Sequence, residues 1–180
     1  MKEALKDYNK EVNYIKLDHN QGHAHARNVA LDEVDTPYFM FLDADDDLAS
    51  YAVTFYLEKL NSTDGLVAPI HSFSIKRPQY VDLDRVKVEY YHAAQNLNSF
   101  LRKQTACNII FRTAIVKAHH IRFNEDLNIY IDWSFLLEYM KYVNKFIRIL
   151  NFPFYFRGEV YDPFETLTSV SYTHLRAHET

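Results

Sequence analysis

Apolar residues recur along this chain with two alternating spacings, one suited to strands and one to helices, and their succession predicts a layered α/β sheet. Val12, Tyr14, Ile15 and Leu17 cluster β-branched and aromatic side chains as a short strand does, after a helical end over residues 2–10. A turn over 18–22 leads into helical composition at 24–34, which Pro37 stops. Tyr38, Phe39, Met40, Phe41 and Leu42 are apolar without alternation, predicting a strand covered on both faces in a mainly parallel sheet. Val53, Tyr56, Leu57 and Leu60 fall at i, i+3, i+4 and i+7, so residues 49–60 should form a helix with that stripe inward. Further strands are expected at 66–75, 106–111 and 146–150, and a second amphipathic helix on Trp133, Leu136, Leu137, Met140 and Val143. Residues 76–98 mix charge and aromatics without a clean period.

Composition narrows the classes. With 180 residues, 48% of them hydrophobic, the chain can bury one core but not two comfortable ones. A formal charge of -4 and no run of Lys or Arg argue against nucleic acid as a partner. The single cysteine, Cys107, cannot make an internal disulfide and reads as a small hydrophobe in a reducing, cytoplasmic compartment. Three glycines, Gly22, Gly65 and Gly158, are too few and too scattered for a phosphate loop or a dinucleotide-binding turn. No apolar stretch approaches the roughly 20 residues of a spanning helix.

The chemistry concentrates where the apolar strand ends. Ligands of α/β sheets sit beyond the carboxyl ends of strands, and Asp43, Ala44, Asp45, Asp46 and Asp47 begin there. Carboxylates one residue apart in extended backbone point the same way, so Asp43 and Asp45 can face one hard cation, Mg²⁺ or Mn²⁺, and through it a diphosphate. An EF-hand is excluded, because Leu48 stands at its glycine and Thr54 at its bidentate glutamate. A Walker B strand is excluded for want of a Walker A loop. The plain competitor is a solvated turn in which Asp46 or Asp47 caps the following helix, a role expected for one of them.

With these residues in place, the chain resembles the family 2 glycosyltransferases, nucleotide-diphospho-sugar transferases with a GT-A domain. Their N-x-G-x-x-x-A-R-N segment corresponds to Asn20, Gly22, Ala26, Arg27 and Asn28, and their D-x-D strand end to Asp43 and Asp45. A later acidic pair before a helix corresponds to Ile131 and Asp132, with Ile131 in place of the usual Glu. The resemblance, over residues 14–150, implies a Rossmann-like layered mixed sheet that lacks its first strand-helix-strand portion. Residues 157–166 are similar, more narrowly, to bacterial enzymes of teichoic-acid or capsular polymer synthesis.

From the resemblance follow the expected roles. The activity would be inverting transfer of a sugar from a nucleotide-diphosphate donor to an acceptor hydroxyl on a glycan or polyol phosphate. Asp132 would be the catalytic base; Asp45, with Asp43, would hold Mg²⁺ or Mn²⁺; Arg27, Asn20, Gly22 and Asp43 would contact the donor. A non-catalytic sugar or diphosphate-binding module is the alternative. Asp132 also has a plain reading as a helix cap, Arg27 as a surface residue, and His71 as a half-buried imidazole rather than a third ligand. Tyr90, Tyr91 and Phe100 would stack on acceptor sugars or, more commonly, pack in the core. Residues 1–168 are expected to be a partial GT-A domain, inactive alone, acting at the inner face of the plasma membrane through regions outside it. Residues 169–180 resemble a translated sequencing adapter, and the natural text is expected to run on in their place.

Overall fold

The computed structural model describes residues 12–60, 63–72, 82–92, 105–152 and 154–158. The expected helix at 2–10, Phe100 and the adapter-like tail lie outside them.

Helix α1 (Gly22–Glu33) leads into β1 (Tyr38–Met40), then β2 (Asp47–Leu48) and α2 (Ala52–Lys59). Strands β3 (Gly65–Val67), β4 (Ile70–Ser72) and β5 (Val88–His92) follow, the last preceded by a 3-10 turn at Leu83–Arg85. A second 3-10 turn (Ala106–Asn108) opens β6 (Ile109–Arg112) and α3 (Thr113–Ala118). Helix α4 (Ile131–Met140), β7 (Lys145–Ile149) and β8 (Tyr155–Arg157) complete the described chain.

The main sheet has the order β1-β6-β3-β7-β5, and a smaller one runs β2-β8-β4. In the main sheet β3 pairs with β7 in parallel, whereas β1 with β6, β3 with β6, and β5 with β7 are antiparallel. The sheet is therefore mixed, and the expectation of a mainly parallel one is corrected. An unbroken apolar run reports that both strand faces are packed and carries no information on direction. Phe39 does pack on one face of the sheet, and Tyr38 and Met40 on the other.

Side-chain alternation sends β6 into two cores. Ile109 and Phe111 join Leu31 of α1 with Phe135 and Tyr139 of α4, while Ile110 joins Phe55 and Tyr56 of α2 with Phe154. The result is helix, sheet, helix in three layers. Each buried aromatic or aliphatic side chain adds roughly 1.5–3 kcal/mol of burial free energy against its conformational entropy.

The apolar stripes of two helices differ from expectation. In α2, Val53 and Leu57 are exposed, while Ala52, Phe55 and Tyr56 are buried and Leu60, just past the helix end, packs beside them. In α4, Trp133 and Leu137 face water, and Ile131, Phe135, Leu136, Tyr139 and Met140 are inside. Both segments are apolar on more than one face, so spacing alone could not choose the buried stripe. Residues 12–17 form no strand, and the described part of the 66–75 strand, residues 66–72, splits at Ala68 and Pro69 into β3 and β4, which belong to different sheets, residues 73–75 lying outside the described chain. The first three residues of the 106–111 strand are a 3-10 turn instead, with Thr105 capping it and Asn108 closing the capping box.

Candidate active site

Four elements bring side chains to one point beyond the end of β1. Arg27 projects from the second turn of α1, Asp43 follows β1, Cys107 sits in the turn before β6, and Asp132 lies in the first turn of α4. Arg27 Nη1 donates to Asp132 Oδ1 at 2.5 Å, and Nη2 donates to Asp43 Oδ1 at 2.9 Å. One guanidinium fork thus joins the expected base to the first expected metal acid, residues far apart in sequence. The Cys107 thiol donates to Asp43 Oδ2 at 3.2 Å and accepts from Arg27 Nη2 at 3.4 Å.

The arginine is held from below as well. Its guanidinium carbon stands 5.5 Å from the Phe41 ring centroid and 5.3 Å from that of Phe123, and Phe123 stacks on Phe135 at 4.2 Å. Asn28, the next residue on α1, is buried and pairs with the backbone of Phe123, donating to its carbonyl at 3.0 Å and accepting from its amide at 2.8 Å. That pair ties α1 to the loop carrying Phe123 toward Asp132. Burial opposes the charge of Arg27, but Asp132, the Cys107 thiol and Asp43 outweigh it, so its pKa is raised above the ordinary value. Burial pushes the Cys107 thiol up to about 12 against the opposite pull of Arg27.

Asp132 does not cap its helix. The N-cap is Tyr130, in the left-handed region at φ 60° with no side-chain capping bond. The second Asp132 oxygen instead accepts from the Ala106 amide at 3.1 Å, across to the turn before β6. The capping expectation for Asp46 or Asp47 is corrected too, since α2 begins at Ala52 with Tyr51 as its N-cap. Asp47 Oδ1 accepts from the next amide, Leu48 N, at 2.8 Å. Both Asp46 oxygens are taken by β8 and the residue after it, Oδ2 by the Tyr155 hydroxyl and Oδ1 by the Gly158 amide at 2.8 Å.

Asn20 and Gly22 shape the start of α1. Asn20 Oδ1 accepts from Gly22 N at 2.9 Å, and Gly22 has φ +84°, a backbone geometry that favours glycine. Asp45 is exposed on the turn between Asp43 and Asp46. Among the described residues no three His, Cys, Asp or Glu side chains converge as a metal cluster. Oxygen donors of the Asp43 and Asp45 type suit a hard cation whose remaining positions are filled by water and phosphate. His71 lies in β4 opposite Phe156. Tyr90 and Tyr91 belong to β5, at the other edge of the sheet from β1, where Tyr91 stacks on Phe146 at 5.4 Å and Lys145 lies over Tyr90 at 5.0 Å.

Solved structures share this fold. Staphylococcus aureus TarS 1-349 in complex with UDP-GlcNAc superposes with a TM-score of 0.68 at 21% identity, over 85% of this chain and 43% of that one. A longer TarS structure gives 0.65 at 22% identity, over 79% of this chain and 25% of that one. The architecture is thus the GT-A fold expected from the sequence. The description "Glycosyl transferase family 2" matches residues 1–122, and the chain belongs to that family. It is also 79% identical over 168 residues to the teichoic acid poly(glycerol phosphate) polymerase of Staphylococcus epidermidis. That similarity takes in 93% of this chain but 23% of the polymerase, so the chain spans about a quarter of that relative.

Proposed function

We propose that this chain carries the donor site and base of an inverting glycosyltransferase, acting in bacterial cell-wall or capsular polysaccharide synthesis. The observation that carries the reading is the single arginine fork joining Asp43 to Asp132 beyond the end of β1. Family membership supplies the reaction class, and the polymerase relative supports a polyol-phosphate or glycan acceptor.

In this reading Asp132 takes the proton of an acceptor hydroxyl as that oxygen bonds to the anomeric carbon. The bond from that carbon to the donor diphosphate breaks, its electron pair leaves with the diphosphate, and the configuration inverts. Asp45 and Asp43 would hold Mg²⁺ or Mn²⁺, which neutralises charge building on the leaving diphosphate. Arg27, Asn20, Gly22 and Asp43 would contact the donor. Both Asp132 oxygens already accept hydrogen bonds, from Arg27 and from Ala106 N. Each oxygen keeps a further lone pair for an acceptor hydroxyl, and Arg27, with its permanent charge and several donors, could exchange Asp132 for donor phosphate and leave the acid freer.

The same doubly bonded Asp132 favours a second reading, a non-catalytic sugar-diphosphate module in which Arg27 stays on the acid. Residues 1–168 are taken as the GT-A portion and 169–180 as a non-native tail, and the site of action as the cytoplasmic face of the membrane. Among the described residues no helix is long and apolar enough to cross a membrane. The test is sugar transfer by the full-length protein with Mn²⁺ or with chelator, for wild type and Asp45→Asn. Loss of transfer in chelator and in the variant is expected. Donor binding that needs the metal, with no transfer, selects the binding module, and metal-independent transfer by Asp45→Asn refutes the metal role.

A further inference from the structure

The acidic loop is held from outside as well as by its own turn. Its carboxylates repel one another; Arg27 and Cys107 hold Asp43 on one side, and Tyr155 and Gly158, more than a hundred residues later, hold the turn on the other. Strand β8 pairs antiparallel with β2, Asp47 opposite Phe156 and Leu48 opposite Tyr155, and Ala49 N donates to Phe154 O at 2.9 Å. From this strand the buried Tyr155 hydroxyl donates to Asp46 Oδ2 and accepts from the Asp43 amide at 3.4 Å. One hydroxyl therefore touches both sides of the turn that displays Asp45. Just past β8, the Gly158 amide donates to Asp46 Oδ1 at 2.8 Å. A Cβ placed on Gly158 would overlap the Asp45 carbonyl oxygen, so only glycine lets this backbone come so close.

These contacts divide the labour among the aspartates. Asp46, whose two oxygens bond to Tyr155 and Gly158, is tied to β8 and the residue after it, and the Asp46 amide closes the turn on Asp43 O at 3.1 Å. Asp45 is left exposed, with Asp43 on the Arg27 side. We propose that Tyr155 and Gly158 are positioning residues that fix the Asp43–Asp46 turn so that the Asp43 and Asp45 carboxylates are presented together to a divalent cation. This rests on the metal role of Asp43 and Asp45 in the proposed function. It adds that cation affinity is set from β8, by residues that do not themselves meet the ion.

The test is a titration of the full chain with Mn²⁺ alone, read by paramagnetic broadening of amide NMR signals from residues 43–47. Thermal unfolding of each variant is recorded alongside. Wild type should broaden at these signals first, and Asp45→Asn should abolish that preference. Tyr155→Phe, which removes one oxygen, should need about fivefold more Mn²⁺ for the same broadening, equivalent to about 1 kcal/mol. Asp46→Asn, of unchanged size, is the second variant should Tyr155→Phe not fold, and the same shift is expected. A purely structural role would lower the unfolding midpoint and leave the Mn²⁺ curve where it was; that result overturns the proposal. If Asp45→Asn shifts the curve while Tyr155→Phe and Asp46→Asn do not, the positioning role alone fails. If wild type shows no preference for the loop, the metal role fails and takes the positioning role with it.

Discussion

Replacing Arg27 tests the junction on which the site is built. In Arg27→Met the guanidinium disappears, while an unbranched chain still covers Phe41 and Phe123. Asp132, 23% exposed at its side chain, keeps only the Ala106 amide as a donor. A hydrogen bond to a charged group of this kind contributes about 1.5–3 kcal/mol. The Asp43 bond adds less, since that side chain is 46% exposed and solvent screens it; about 0.5 kcal/mol is reasonable. Loss of the charge over two rings adds about 0.5–1 kcal/mol. The sum is near 3 kcal/mol, and with a urea slope of about 2 kcal/mol/M the unfolding midpoint should fall by about 1.5 M. Arg27→Lys keeps a cation but not the fork, and should lose about half as much. Equilibrium urea unfolding followed by circular dichroism reads both. A midpoint for Arg27→Met within about 0.3 M of wild type would refute the junction as a structural element.

Further outcomes follow from three single residues. With its pKa pushed up to about 12, the Cys107 thiol should alkylate at pH 8 at least about 100-fold more slowly in the folded chain than in urea; equal rates would contradict its burial. The folded state holds that proton more tightly, so the contribution to stability is complete below the ordinary thiol value of 9.0 and is lost as pH rises towards about 12. Gly22→Ala should lower stability by about 1 kcal/mol, because φ +84° strains any Cβ although none of its neighbours is within 4 Å; an unchanged urea midpoint would show that the turn relaxes. Asp64→Ala should cost about 2–3 kcal/mol, since Asn144 N, Lys145 N and Arg112 Nη1 lose their common acceptor; a loss under about 0.5 kcal/mol, measured the same way, would contradict that.

The sequence disclosed the fold where local chemistry is strong. The apolar run at 38–42 located β1, and the acids after it marked the candidate site, because a strand end in an α/β sheet is where ligands meet backbone. Strand direction stayed hidden, since pairing partners such as Ile110 for Met40 lie far along the chain. The faces of α2 and α4 were misjudged for a different reason. Val53 and Phe55 are both apolar, and only the partner across the interface decides which one is covered. Arg27 and Asp132 were picked out by resemblance, but nothing local says that they touch. Cys107 read as an inert hydrophobe because its one polar neighbourhood, between Arg27 and Asp43, exists only after folding. Nothing local pointed to the contacts of Tyr155 and Gly158 with the acidic turn, although residues 157–166 carried a family likeness: β2 and β8 are two and three residues long, too short for a period to register.

The most direct measurement is the rate of sugar transfer by the full-length protein carrying Asp132→Asn, with donor affinity determined in parallel. The amide keeps the shape and can still accept from the Ala106 amide, but it cannot take a proton. A fall of about 10³-fold or more in kcat with donor binding nearly unchanged is expected. Transfer at the wild-type rate would contradict it, and would leave the arginine-linked acids as a purely structural knot.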